Sequence, residues 1–106
     1  MTDPTADFFD SLKQRGHEPL LARKKGSVRI EVANGGTIER WLVEYDDGVI
    51  SVSKRNRVAD TTVRADKKVF DQIALGETNA MAAVLRGAVA AEGDLNVLIL
   101  FQRLLP

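Results

Sequence analysis

Side chains that could carry chemistry are few in this 106-residue chain, and each has a plain explanation nearby. The only histidine, His17, lies between Gly16 and Glu18-Pro19 in a loop-like stretch. A metal site or a catalytic dyad needs a second partner beside it, and the chain has no cysteine. No Gly-x-Ser-x-Gly elbow occurs to hold a serine nucleophile. Asp46-Asp47-Gly48 sets two carboxylates side by side, which could suggest acid–base work. Before a glycine between two strand-like runs, such a pair reads as a turn. Asn34-Gly35-Gly36 is too isolated for a phosphate loop, since no helix follows it and no lysine sits in place. Lys54-Arg55-Asn56-Arg57 is the densest basic patch, read first as a solvated loop. As a contact for anionic headgroups, Lys54, Arg55 and Arg57 could each add about 1 kcal/mol near a membrane. No catalytic residue, metal ligand or cofactor is expected.

The most informative polar residue is an amide. With Leu95 at zero and about 100° per residue, Asn96 and Arg103 form the one narrow polar edge of a segment running from Asp94 to Leu105. Leu95, Val97, Leu98, Ile99, Leu100, Phe101, Leu104 and Leu105 cover nearly all the rest. A helix this apolar is expected to be buried on most sides. Gln102 falls near 340°, on the apolar surface between Leu98 and Leu95. A buried unpaired amide costs roughly 1–3 kcal/mol, so Gln102 needs a partner. Either it is tied to a backbone group in a core helix, or it is a polar fixture in an apolar ligand cavity.

Bulk properties narrow the classes. Fifteen basic residues balance fifteen acidic ones, against a dedicated nucleic-acid binder. The longest wholly apolar run, Ala80 to Leu85, is six residues, far short of a membrane span of about 20. Met1-Thr2-Asp3-Pro4 is acidic and lacks an apolar leader core, so the expectation is one cytoplasmic domain over residues 1–106.

The elements that would position these residues follow in order. Asp3-Pro4 opens a helix over about 4–15, with Phe8, Phe9 and Leu12 on one face and Gly16 as its stop. Val28, Ile30 and Val32 alternate with Arg29 and Glu31, as in a half-buried strand. After the Asn34-Gly35-Gly36 turn, Thr37 to Tyr45 alternates again. Trp41, Val43 and Tyr45 point one way, and Arg40, Leu42 and Glu44 the other. Val49 to Ser53 completes an antiparallel meander. Ala59 to Ala65 forms a fourth strand. Asp66 can cap a helix with Val69, Phe70 and Ile73, and Thr78 or Asn79 caps the next, with Met81, Val84 and Leu85 on one stripe. Ala88 to Glu92 makes a fifth strand before the Asp94 helix. The class is α+β, one sheet covered by helices.

From Ala59 onward the chain resembles the sterol carrier protein 2 family of lipid-binding domains. The shared features are a strand opening with Ala59-Asp60, Phe70 in a helix stopping at Gly76, and a short helix ending at Gly87. A strand ending at Gly93 and a last helix with Gln102 and Leu104 complete the set. Upstream, Trp41, Val43 and Tyr45 before Asp47-Gly48 are similar to the family's tryptophan strand and glycine turn, so the resemblance spans about 26–105. It implies a five-stranded, mixed, twisted sheet with helices on one face, around an apolar tunnel walled in part by the C-terminal helix.

The function so implied is non-catalytic carriage of a fatty acid, fatty acyl-CoA, sterol-like or isoprenoid lipid. The alternative is an interaction or scaffold domain with a collapsed cavity, accessory to a lipid-pathway enzyme. Candidate lining residues are Trp41, Val43, Phe70, Ile73, Met81, Val84, Leu85, Leu98, Phe101, Gln102 and Leu105. The segment 94–105 is the wall expected to loosen when ligand leaves.

Overall fold

In β1 (Lys25–Asn34), Val28, Ile30 and Val32 are buried while Arg29 and Glu31 face the other way, as a two-residue repeat demands. The computed structural model describes residues 3–106. Met1 and Thr2, the start of the stretch examined above for a leader, lie outside them. Gly35-Gly36 joins β1 to the antiparallel β2 (Thr37–Asp46), with Gly35 at φ 64. Asp47 and Gly48, both at positive φ, turn β2 into β3 (Val49–Ser53). The Asp47 carboxylate accepts the Arg23 N–H at 2.8 Å, so the paired acids serve the turn.

Residues 54–60 then carry the chain from β3 across β2 and β1 to β4 (Thr61–Asp66), which runs parallel to β1. β5 (Val89–Gly93) adds antiparallel to β4, giving the mixed order β3-β2-β1-β4-β5. The crossing passes over the outer face as a strap. Asn56 accepts from Arg29, Arg57 lies 3.9 Å from Glu44, and Asp60 accepts the Ser27 N–H. Leu42 does point outward as expected, yet only 1% of it is exposed. The strap's contacts with Arg29 and Glu44, its neighbours across and along the sheet, close over it.

Helices cover the inner face. α1 (Pro4–Arg15) is capped by Asp3, whose carboxylate accepts the Ala6 N–H, and stops at Gly16 at φ 64. A single 3-10 turn, Pro19–Leu21, buries Leu21. α2 (Lys67–Ala74) has Asp66 at its cap position, but that side chain makes no capping bond, contrary to expectation. Of the two candidate caps for α3 (Ala80–Leu85), Asn79 is the one used, accepting the Ala82 N–H. α1 and α2 are clipped together through Asp71. It accepts the Thr5 N–H and hydroxyl, and Lys67 bridges Asp3 and Asp71 at 2.8 and 2.9 Å.

α4 (Leu95–Gln102) corrects two expectations. Asp94 caps it as foreseen, but it ends three residues before Leu105. Arg103 and Leu104 bond back to Leu100 and Phe101 in a tightened last turn, and Pro106 disfavours helical backbone at Leu105. It is also not buried on most sides. Val97, Leu98 and Phe101 face the sheet, whereas Leu95 is 69% and Ile99 45% exposed, because among the described residues no further layer packs over α4.

Candidate functional site

The inner face of the sheet holds two compartments that share Phe70. The first is aromatic. Phe9 stacks on Trp41 at 4.6 Å and on Phe70 at 5.7 Å, with Phe8 edge-on to Phe9 at 5.1 Å. Such pairs contribute about 0.5–1.5 kcal/mol each beyond the area they bury. Lys54 closes its rim, the ammonium 4.6 Å from the Trp41 ring and 4.0 Å from Glu39. Trp41 belongs to this stack, and Val43 is fully buried in the core without lining the second compartment.

The second compartment is a cleft. Val63 and Val89 form its floor, and Phe70 and Ile73 of α2 form one side. Ala80, Met81 and Val84 of α3 form another, while Leu98, Phe101, Gln102 and Leu105 close the last. Its free volume is about 20 Å³, room for about one water-sized sphere. At about 24 cal/mol per Å³, a void this small costs only about 0.5 kcal/mol.

Eight of the eleven sequence-nominated residues meet around this cleft: Phe70, Ile73, Met81, Val84, Leu98, Phe101, Gln102 and Leu105. Trp41 and Val43 do not, and Leu85 is 85% exposed. The stripe was centred wrongly. Ala83 is the innermost residue of α3, since a small side chain lets the helix sit close, and Leu85 is about 160° away from it. Val63, Ala80 and Val89 were missed. Alternation along β4 turns Val63 inward with Thr61 and Ala65, and the same rule applied to β5 turns Val89 inward.

Among the described residues no charged side chain lines the cleft, and the one polar member is the half-buried Gln102. Among the described residues the buried polar atoms without a partner lie elsewhere: Arg29 Nε and the Tyr45 hydroxyl. Burial pushes the Tyr45 hydroxyl pKa up, and Asp60 and Asp94 add to the effect. Its ring lies across Gly26, where a Cβ would come within 2.5 Å of the hydroxyl oxygen. Ion pairs are also spent outside the cleft. On the outer face Arg64 and Arg40 hold the Glu31 carboxyl below its usual range through bonds of 2.7 and 3.0 Å. His17 bridges to Val49 beside the β2–β3 turn. Among the described residues no group of three or more His, Cys, Asp or Glu could hold a metal. No helix there is long and apolar enough to cross a membrane.

No curated protein sequence matches the chain. Solved structures do. Palmitated SCP2L2 from Aedes aegypti is similar at TM-score 0.75 and 16% identity, over 97% of this chain and 93% of that one. The sterol carrier protein domain 2 of Helicoverpa armigera is similar at TM-score 0.77 and 17% identity, over 94% and 86%. At these identities the likeness speaks for the fold. The inverting sec-alkylsulfatase Pisa1 from Pseudomonas sp. is similar at TM-score 0.69 and 25% identity, over 92% of this chain but only 16% of that one. The sequence pattern of the SCP-2 sterol transfer family matches residues 8–106, and the chain belongs to that family.

Proposed function

We propose that this chain is a non-catalytic carrier of a lipid with a flexible apolar chain, a fatty acid or acyl derivative ahead of a rigid sterol. The observation that carries this reading is a family-matched fold whose cleft joins ten apolar side chains and a single amide. The palmitated Aedes aegypti relative supports the ligand class.

Ligand sites run from about 300 Å³ upward, so the walls must part. An empty rigid site of that size would cost about 7 kcal/mol, comparable to the whole stability of a small domain. Closure without ligand is the cheaper state. A sixteen-carbon chain returns at most about 13 kcal/mol gross on burial. After ordering and association costs, micromolar to nanomolar affinity remains.

The sequence pointed to 94–105 as the moving wall, but burial favours α3. α4 and the turn after it bury Val97, Leu98, Phe101 and Leu104, each worth about 1.5–3 kcal/mol. α3 fully buries only Ala83 and is flanked by Gly76 and Gly87, both at positive φ. Amide exchange on delipidated and palmitate-loaded protein tests this. Protection gained chiefly over 80–85, with a raised melting temperature, is the expected result. Identical exchange and melting in both samples would overturn the carrier reading.

Membrane contact through Lys54, Arg55 and Arg57 would rest mainly on Arg55. Lys54 is held over Trp41 near Glu39, and Arg57 lies beside Glu44. A second reading is an accessory domain with its cleft kept shut beside a lipid-pathway enzyme. The likeness to a small part of the alkylsulfatase favours it. Native mass spectrometry with extraction separates the two: a recurrent co-purifying lipid supports the carrier, and a clean apo mass with no lipid-induced stabilisation supports the accessory.

A further inference from the structure

The two edges of the sheet are finished differently. Along β3 the stretch after α1 closes the outer side. The Ile50 N–H donates to the Gly16 carbonyl, the Glu18 N–H donates to the Gly48 carbonyl, and His17 bridges Val49. β5 has no such cover. The Asp94 N–H donates to the Asp60 carbonyl, one step beyond the Thr61–Gly93 pair, and this sets the alternation along the strand. Ala90 and Glu92 bond to β4, while Val89, Ala91 and Gly93 turn their N–H and C=O groups to the open side. Among the described residues no other backbone group bonds to them there. Nor does β5 carry the lysine, proline or bulge that commonly guards an edge. On the inner face α3 packs on β5 and leaves Leu85 85% exposed, just before the strand begins.

We propose that β5 pairs antiparallel with β5 of a second copy, continuing the sheet across a two-fold axis at Ala91. The register of the strand selects this occupant. Centred there, Ala91 meets Ala91, Val89 meets Gly93 and Ala90 meets Glu92. Every outward backbone group finds a partner, and no two charges stand opposite. Each Glu92 then lies beside an Ala90 whose neighbour in the same row is Arg64, itself 3.6 Å from the Glu92 of its own chain. The short methyl leaves the incoming carboxylate a line to that guanidinium. An axis at Glu92 would instead set the two carboxylates face to face. Both inner faces lie on one side of the joined sheet, so the two α3 helices flank the seam. Five residues a side fall well below the roughly 800 Å² per partner of a stable complex, so the dimer is weak, with a Kd of about 100 µM. The pairing does not depend on whether the cleft holds lipid.

Sedimentation velocity over a concentration series, with amide exchange on the same samples, tests the pairing. The wild type should shift from monomer to dimer as concentration rises through about 100 µM. The amides of Val89, Ala91 and Gly93 should gain protection with it, while those of Ala90 and Glu92, already bonded to β4, should not change. Position 90 reads the register by sign, because it is exposed and each dimer sets it against Glu92 twice. Ala90→Glu should weaken the dimer about tenfold, and Ala90→Lys should tighten it by a similar factor. Melting curves on both variants check that the fold is kept, and the wild-type exchange pattern stands without them. A monomer at every concentration, or a dimer that leaves those three amides unprotected, overturns the proposal. So does weakening by both substitutions, which would mean that position 90 faces itself. Protection gained only on adding an extended peptide would overturn it in favour of a different chain on the same edge.

Discussion

The two compartments lie on the same face of the same sheet and share the Phe70 ring, yet they are built from different material. Under α1, three phenylalanines and a tryptophan stack within 4.6 to 6.3 Å. Rings of that size have two side-chain torsions and fill space in one way, so that half resists deformation. Under α3 and α4, apart from the shared Phe70 and the single ring of Phe101, the cleft is lined by three valines, two leucines, an isoleucine, an alanine, a methionine and Gln102, side chains that repack more readily than stacked rings. One half therefore supplies stability, and the other is free to change volume. A carrier needs both, because an opening cleft must be braced by something that stays shut.

Breaking the rigid half should have the largest effect. Phe9→Ala removes a fully buried ring that touches both Trp41 and Phe70, and should cost about 3–5 kcal/mol in denaturant unfolding. A loss near 1 kcal/mol would mean the aromatic half is as soft as the cleft.

The α1–α2 clip, which pins the rigid half to the wall both compartments share, comes next. Asp71→Asn should cost about 1–3 kcal/mol at neutral pH, because Thr5 and Lys67 lose a charged acceptor. Burial pushes the Asp71 pKa up, but the bonds from Thr5 and Lys67 outweigh it and the net shift is down. A carboxylate with a lowered folded pKa stabilises above its unfolded value, about 4, and loses that contribution as pH falls through the folded value. The wild-type advantage over Asp71→Asn should therefore shrink in melting curves taken from neutral pH towards pH 2. An advantage constant across that range would mean the clip acts by shape alone.

Filling the soft half should disturb folding less than breaking the rigid half. Ala80→Leu, at the half-exposed cleft edge, should cost no more than about 1–3 kcal/mol while weakening fatty-acid binding tenfold or more in a displacement assay. Stability loss matching Phe9→Ala would erase the distinction between the halves. The smallest effect is expected at the rim. Lys54→Met should cost no more than about 1 kcal/mol, since the ammonium over Trp41 is largely exposed.

Strands and turns were legible because alternation and glycine-rich turns are local. Val28, Ile30, Val32, Trp41 and Tyr45 face the core as their spacing required, and Asp3, Asn79 and Asp94 cap the helices that follow them. The resemblance to the family supplied the five-stranded mixed sheet, and the strand order came only with the structure. What escaped was set by neighbours far along the chain. Leu42 lies under a strap whose path no periodicity records. Leu85 faces solvent because Ala83 approaches the sheet more closely than a larger residue could. The exposed side of α4 shows that an apolar helix is buried only where another layer exists to cover it.

The parallel pairing of β4 with β1 has a consequence for how the molecule assembles. β1, β2 and β3 meet through two-residue turns, so that meander can form from local contacts. Val28 finds Thr61 only after the strap has closed a loop of 33 residues. Loop closure of that length must be met before the pairing returns anything, which places β4, β5 and the helices over them late in folding. What docks last on the free edge of β1 is also the unit that can undock while the meander persists. The cleft is lined wholly from that late unit, so its least buried piece, α3, can part while the meander and the α1–α2 clip stay in place.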